Sequence, residues 1–162
     1  MDWKFGELPL HPLLVHLTVM VIPLAALCLV LSAVWPDARR RLGLVTPILA
    51  LVALIAVPIT TSAGLWLADR VGRTPLVDRH QALGESMLPW SIAVFVVAAS
   101  VWVWYRFGQA APHRWRMPVA VVLAVAAVIV AAGSVVMIVQ IGESGASAVW
   151  SGNVSDEPLP AP

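Results

Sequence analysis

Four apolar stretches, near Leu13–Trp35, Leu44–Leu67, Met87–Tyr105 and Pro118–Ile141, leave this chain of 162 residues almost nothing else to fold with. A spanning helix needs roughly 20 predominantly apolar residues. In lipid no water satisfies an exposed backbone amide, so such stretches fold as helices. The loops between them are short, which makes consecutive spans antiparallel. The reading is an all-α integral membrane four-helix bundle over residues 8–152, followed by a polar, proline-rich, disordered tail at 153–162.

Composition agrees. The chain is 60% hydrophobic and 12% charged, against about 45–50% and about 25% for soluble domains. No room remains for a soluble domain. A net charge of +1 offers no footprint for nucleic acid. The lone cysteine, Cys28, lies in mid-span and reads as a small buried hydrophobe. The N-terminus carries Asp2, Lys4 and Glu7 without a basic bias, so the first span reads as retained rather than as a signal peptide. The expected location is a membrane, crossed several times.

Arg39, Arg40, Arg41, Arg106, Arg114 and Arg116 fall at one end of the bundle, against Lys4, Arg70, Arg73 and Arg79 at the other, six to four. The positive-inside rule then puts both termini on the extracytoplasmic side. Trp35, Trp104 and Trp115 form one aromatic belt; Trp3, Trp66 and Trp150 form the other. Small residues recur at helical spacing in Ala53, Ala56, Thr60, Ala63 and in Ala120, Ala124, Ala127, Ala131, Ser134. Such seams let helices approach closely where lipid removes the hydrophobic drive for association. Pro23, Pro47 and Pro58 read as kinks whose freed carbonyls Thr60, Thr61 or Ser62 can satisfy.

The outer rim gathers the chemistry. His11, His16, Thr60, Asp69, Asp78, His80, Glu85 and Glu143 all fall there. A titratable ring in an apolar span costs free energy and marks a function by default. His16 and His80, on different helices, suit b-type haem held between them. Gly84 leaves space for a flat ring, and Thr60, Glu85 and Glu143 would tune it. Alternatively, His11, His16, His80 and Glu143 are candidate ligands of copper or zinc, with Met20, Met87 and Met137 nearby for a soft ion. His11 and His16 are five apart, about 140° around a helix, and do not form one chelating face. Against both readings, the histidines can be interfacial residues satisfied by neighbouring backbone. No nucleophile is placed beside a base, so no catalytic residue is assigned and no activity of its own is expected. Gly142 and Gly145 read as a tight reversal where the chain leaves the last span, with Trp150 returning to the interface.

His11-Pro12-Leu13-Leu14-Val15-His16, His80-Gln81-Ala82-Leu83-Gly84 and a Gly-x-x-Gly-Ala segment after the fourth span resemble an uncharacterised bacterial four-helix membrane family, domain of unknown function 2231. The resemblance covers about residues 8 to 152. That family commonly has Gly-His where this chain has Gly142-Glu143, which removes one potential ligand but leaves His16 and His80. Relatives joined to Rieske or cytochrome-type domains imply membrane redox work, and the Ala/Val/Arg-rich composition resembles that of a high-GC source. Three function classes follow. A haem-binding redox protein predicts a Soret band; an accessory subunit predicts a co-purifying membrane complex; a copper, zinc or proton-linked site predicts metal without haem. The partners are the bilayer, other membrane redox proteins or a second copy of the chain, with no nucleic acid.

Overall fold

The computed structural model describes residues 2–152 and Val154, so the tail expected at 153–162 lies, apart from Val154, outside the described residues. A two-stranded hairpin of β1 (Lys4–Phe5) and β2 (Leu8–Pro9) turns at Gly6, with φ of 60°, and leads into α1 (Leu10–Val34). The other helices are α2 (Pro36–Leu42), α3 (Val45–Val71), α4 (Pro75–Glu85), α5 (Met87–Phe107) and α6 (His113–Trp150). α1, α3, the α4–α5 segment and α6 are long and apolar enough to cross a membrane. α1 packs on α3 and α6, and α5 packs on the same two, so the four long helices close a ring.

The packing is inside out relative to a soluble bundle. Leu13, Leu17, Met20, Leu24 and Leu27 lie exposed along one stripe of α1, while Thr18, Ile22, Ala25, Leu29 and Ser32 are buried. Both faces are apolar, so residue size rather than polarity separates them. Small side chains make up most of the inward face, where helix backbones must approach, with Ile22 and Leu29 packed among them, and the outward stripe is all large. The seam residues Ala53, Ala56, Thr60 and Ala63 are all buried, as are Ala127, Ala131 and Ser134.

Two hydroxyl pairs tie α1 to α3 at opposite ends: Thr18 Oγ1 to Thr60 Oγ1 at 2.8 Å, and Ser32 Oγ to Thr46 Oγ1 at 2.9 Å. Each such bond contributes about 0.6 kcal/mol in a membrane helix bundle.

Two local features refine the sequence reading. His80 does not belong to the helix that holds the Met87–Tyr105 stretch, though both lie in the segment Pro75–Phe107 that is long and apolar enough to cross a membrane. It sits on α4, which begins with Pro75 at its first position and Thr74 capping the Val77 amide, and ends at Ser86 before α5 starts. Nor does the chain reverse at Gly142–Gly145. α6 runs through both glycines to Trp150, because a glycine with helical neighbours on either side lowers helix stability by only about 1 kcal/mol.

Candidate functional site

The start of α1, the end of α3, α4 and the end of α6 meet around a cavity of about 550 Å³. Its walls are mostly aliphatic, and His11, His16 and His80 all line it. Among the described residues, the ring that meets His80 is His11, with ring centres 6.2 Å apart and planes at 72°. His16, the ring expected to pair with His80, is exposed on the same cavity.

Each histidine is oriented by an oxygen. His11 Nδ1 lies 3.0 Å from the Thr60 carbonyl oxygen, and His16 Nδ1 lies 2.6 Å from that of Pro12. A carbonyl only accepts, so both Nδ1 atoms carry the proton. His80 Nδ1 lies 3.0 Å from Ser144 Oγ. The Ser144 hydroxyl donates its one proton to the Ile141 carbonyl at 2.9 Å, which leaves its lone pairs to accept from His80. In their neutral forms all three rings therefore keep a bare Nε2 lone pair.

The two facing histidines use the same device on different helices. A Cβ built on Gly64 would stand 2.9 Å from His11 Cε1, and one built on Gly145 would stand 2.9 Å from His80 Cε1. Each ring thus lies across a glycine of the helix it bonds to. Real Cβ contacts are essentially never this short, so alanine at either position displaces its ring. Gly145→Ala is expected to break the His80–Ser144 bond without harming the helix. In ¹⁵N imidazole spectra of the neutral protein, His80 then changes from the Nδ1–H tautomer to a mixture, while His11 stays as it is. An unchanged His80 would show that the glycine is not what seats the ring.

Thr60 is buried and joins this arrangement through its carbonyl and its hydroxyl, which also bonds Thr18. Gly84 faces open space, since a methyl group placed on it would meet nothing closer than Thr61 Cγ2 at 3.8 Å; Gly142 has nothing within 4 Å. Glu85 lines the cavity and accepts from Gln81 Nε2 at 3.0 Å, whereas Glu143 is exposed and is not among the lining residues. Among the described residues no group of three or more His, Cys, Asp or Glu side chains is placed to hold a metal ion. His11, His16, His80 and Glu143 therefore do not form one closed ligand cluster.

The turn that carries α4 to this position is braced outside the cavity. Arg73 reaches Asp69 at 2.9 Å, Asp78 at 3.5 Å and Gln81 at 3.3 Å. Gly72, with φ of 93°, makes the bend possible. These are exposed pairs, and they orient α4 more than they stabilise it.

Reading the residues alone missed the His11–His80 pair and the roles of Gly64, Ser144 and Gly145. One signal was present: Gly64 stands one turn beyond Thr60 and extends the small-residue seam of α3.

The family model described as "Predicted membrane protein (DUF2231)" matches residues 7–158 of the chain. No curated protein and no solved structure matches it.

Proposed function

The chain belongs to the DUF2231 family of predicted membrane proteins, and we propose that it is a membrane electron carrier in which His11 and His80 would hold a b-type haem. The observation that carries this reading is the His11–His80 pair itself. Their ring centres stand 6.2 Å apart, and each ring gives its Nδ1–H to an oxygen and keeps the bare Nε2 that would hold the iron.

The outer hydrogen bonds support the same reading. Metal-ligating histidines almost always donate their other ring N–H to an oxygen, which fixes the tautomer and raises ligand basicity. His11 and His80 both do so, to Thr60 and Ser144. A ligand presenting only carbonyl oxygens is a poorer match, because a bare Nε2 cannot donate to it. The cavity is of small-molecule size, and Gly84 and Gly142 leave its walls open where side chains would fill it. Bound there, haem would supply one-electron chemistry. The protein's part is to hold the iron ligands in one tautomer and keep the site within an apolar wall.

In this reading the spans alternate in direction, both termini lie on the extracytoplasmic side, and the membrane is the bacterial inner membrane. The six-to-four bias of Lys and Arg supports that orientation.

The test is a reduced-minus-oxidised absorption spectrum of detergent-purified protein from haem-replete cells, with metal analysis of the same sample. A low-spin α band at about one haem per chain is expected. A colourless protein that also fails to take up added haemin overturns the reading, and stoichiometric copper or zinc without haem replaces it with a metal site.

A further inference from the structure

Ser32 lies 21 residues after His11 on α1, about 30 Å away along the helix, and a second cavity of about 210 Å³ opens at that end. Its lining includes Arg39, Arg40 and Arg106, with Tyr105 and Trp102. Arg39 is held rigidly. Its Nε donates to the Ser32 carbonyl at 2.6 Å and its Nη2 to the Ala33 carbonyl at 2.8 Å, satisfying the end of α1. Its guanidinium carbon stands 3.2 Å from the centre of the Tyr105 ring. The side chain is half-buried, and that burial lowers its pKa from the ordinary arginine value. A partly desolvated cation calls for an anion.

Among the described residues no carboxylate answers it. Neither Arg39 nor Arg106 has an acidic partner there, and Asp37, the acid closest in sequence, pairs with Arg40. Arg40 and Arg106 are exposed beside the same cavity. The other side of the cavity is apolar, faced by the half-buried Trp102 with Ala98 and Val101 buried behind it. Trp35 and Trp115, each 54% exposed, mark the depth of this end as that of the headgroup layer.

We propose that this cavity is a headgroup site for an anionic phospholipid. The phosphate lies beside the exposed guanidinium groups of Arg40 and Arg106, with the charge of the held Arg39 behind it, and the glycerol and first acyl carbons lie on Trp102. Arg106, which has no acidic partner among the described residues, suits this role because the planar fork of an arginine matches two phosphate oxygens at once. Basic pockets between membrane helices recognise acidic headgroups in this way. The apolar wall and the interfacial depth favour a lipid over free phosphate, which gains nothing from either.

The experiment is native mass spectrometry of the full chain released from micelles doped with phosphatidylglycerol or phosphatidylcholine of identical acyl chains. One phosphatidylglycerol per chain is expected to survive activation that strips phosphatidylcholine. The double variant Arg40→Gln/Arg106→Gln changes two exposed side chains and leaves Arg39 to cap α1. It is expected to weaken phosphatidylglycerol binding at least about tenfold, each arginine contributing a factor of about five. Equal retention of both lipids, or undiminished binding by the double variant at unchanged melting temperature, overturns the proposal. So does displacement of the bound species by excess inorganic phosphate, which would make this a free-phosphate site.

Discussion

His11→Ala and His80→Ala are each expected to abolish the low-spin haem spectrum, whereas His16→Ala is expected to retain it. The argument rests on geometry. Among the described residues the ring that reaches His80 is His11, at 6.2 Å. Removing either one would leave a single histidine to hold the iron. Affinity should fall by more than about 100-fold, since even outer hydrogen-bond partners of metal ligands are worth about 10- to 100-fold. Ser144→Ala provides the graded case. It removes the acceptor of His80 Nδ1–H but keeps the ligand, so a fall of about 10- to 100-fold is expected. The three histidine variants should stay folded, because none of the three rings is fully buried. Melting temperatures in detergent check this. Added imidazole should restore a low-spin band to His11→Ala by entering the space the side chain left. A full-strength band in His11→Ala with loss in His16→Ala would return the ligand assignment to the pair expected from the sequence.

The second large effect concerns stability. Gly133 lies in α6 directly beneath Trp90 of α5, and a Cβ built there would fall on the six-membered ring of the indole. Two effects oppose each other in Gly133→Ala. Helix propensity favours alanine by about 0.5–1 kcal/mol. Overpacking costs about 1–3 kcal/mol. Here overpacking wins, because the obstacle is the body of a large rigid ring and not the end of a flexible chain. Gly133→Ala should therefore lower stability by about 1–2 kcal/mol. Gly133→Leu should expel Trp90 from the α5–α6 interface and cost about 3–5 kcal/mol, the range for deleting a large aromatic side chain. Denaturation by sodium dodecyl sulfate from mixed micelles measures both. Combining Gly133→Ala with Trp90→Leu should remove most of the cost of the alanine, since its obstacle is gone. An alanine variant more stable than the parent would show that propensity governs this helix and that Trp90 moves freely into lipid.

His11, His16 and His80 stood out in the sequence because ionisable rings in apolar segments demand an explanation, and all three line one cavity. Their pairing was not legible. It depends on where α3 and α6 place their glycines, and glycine at Gly64 or Gly145 looks the same in sequence as glycine at a cap. Glu143 was named for its position in the chain; it is exposed on α6, which continues through Gly142 and Gly145.

Hydropathy and loop length alone determined that this chain would place four apolar helices in a membrane. The bilayer imposes that outcome on any stretch long enough to cross it, whatever the neighbours. The seams Ala53–Ala56–Thr60–Ala63 and Ala127–Ala131–Ser134 were likewise readable, since small residues at helical spacing must line a close contact. Tertiary structure decided the rest. Which histidine meets His80 depends on the end of α4 at Ser86, the bend at Gly72 and the approach of α6, contacts made across 64 and 49 residues of chain. A periodic pattern reports which face of a helix turns inward. It carries no record of which residue of another helix stands opposite, because that is set by the packing of all four helices together.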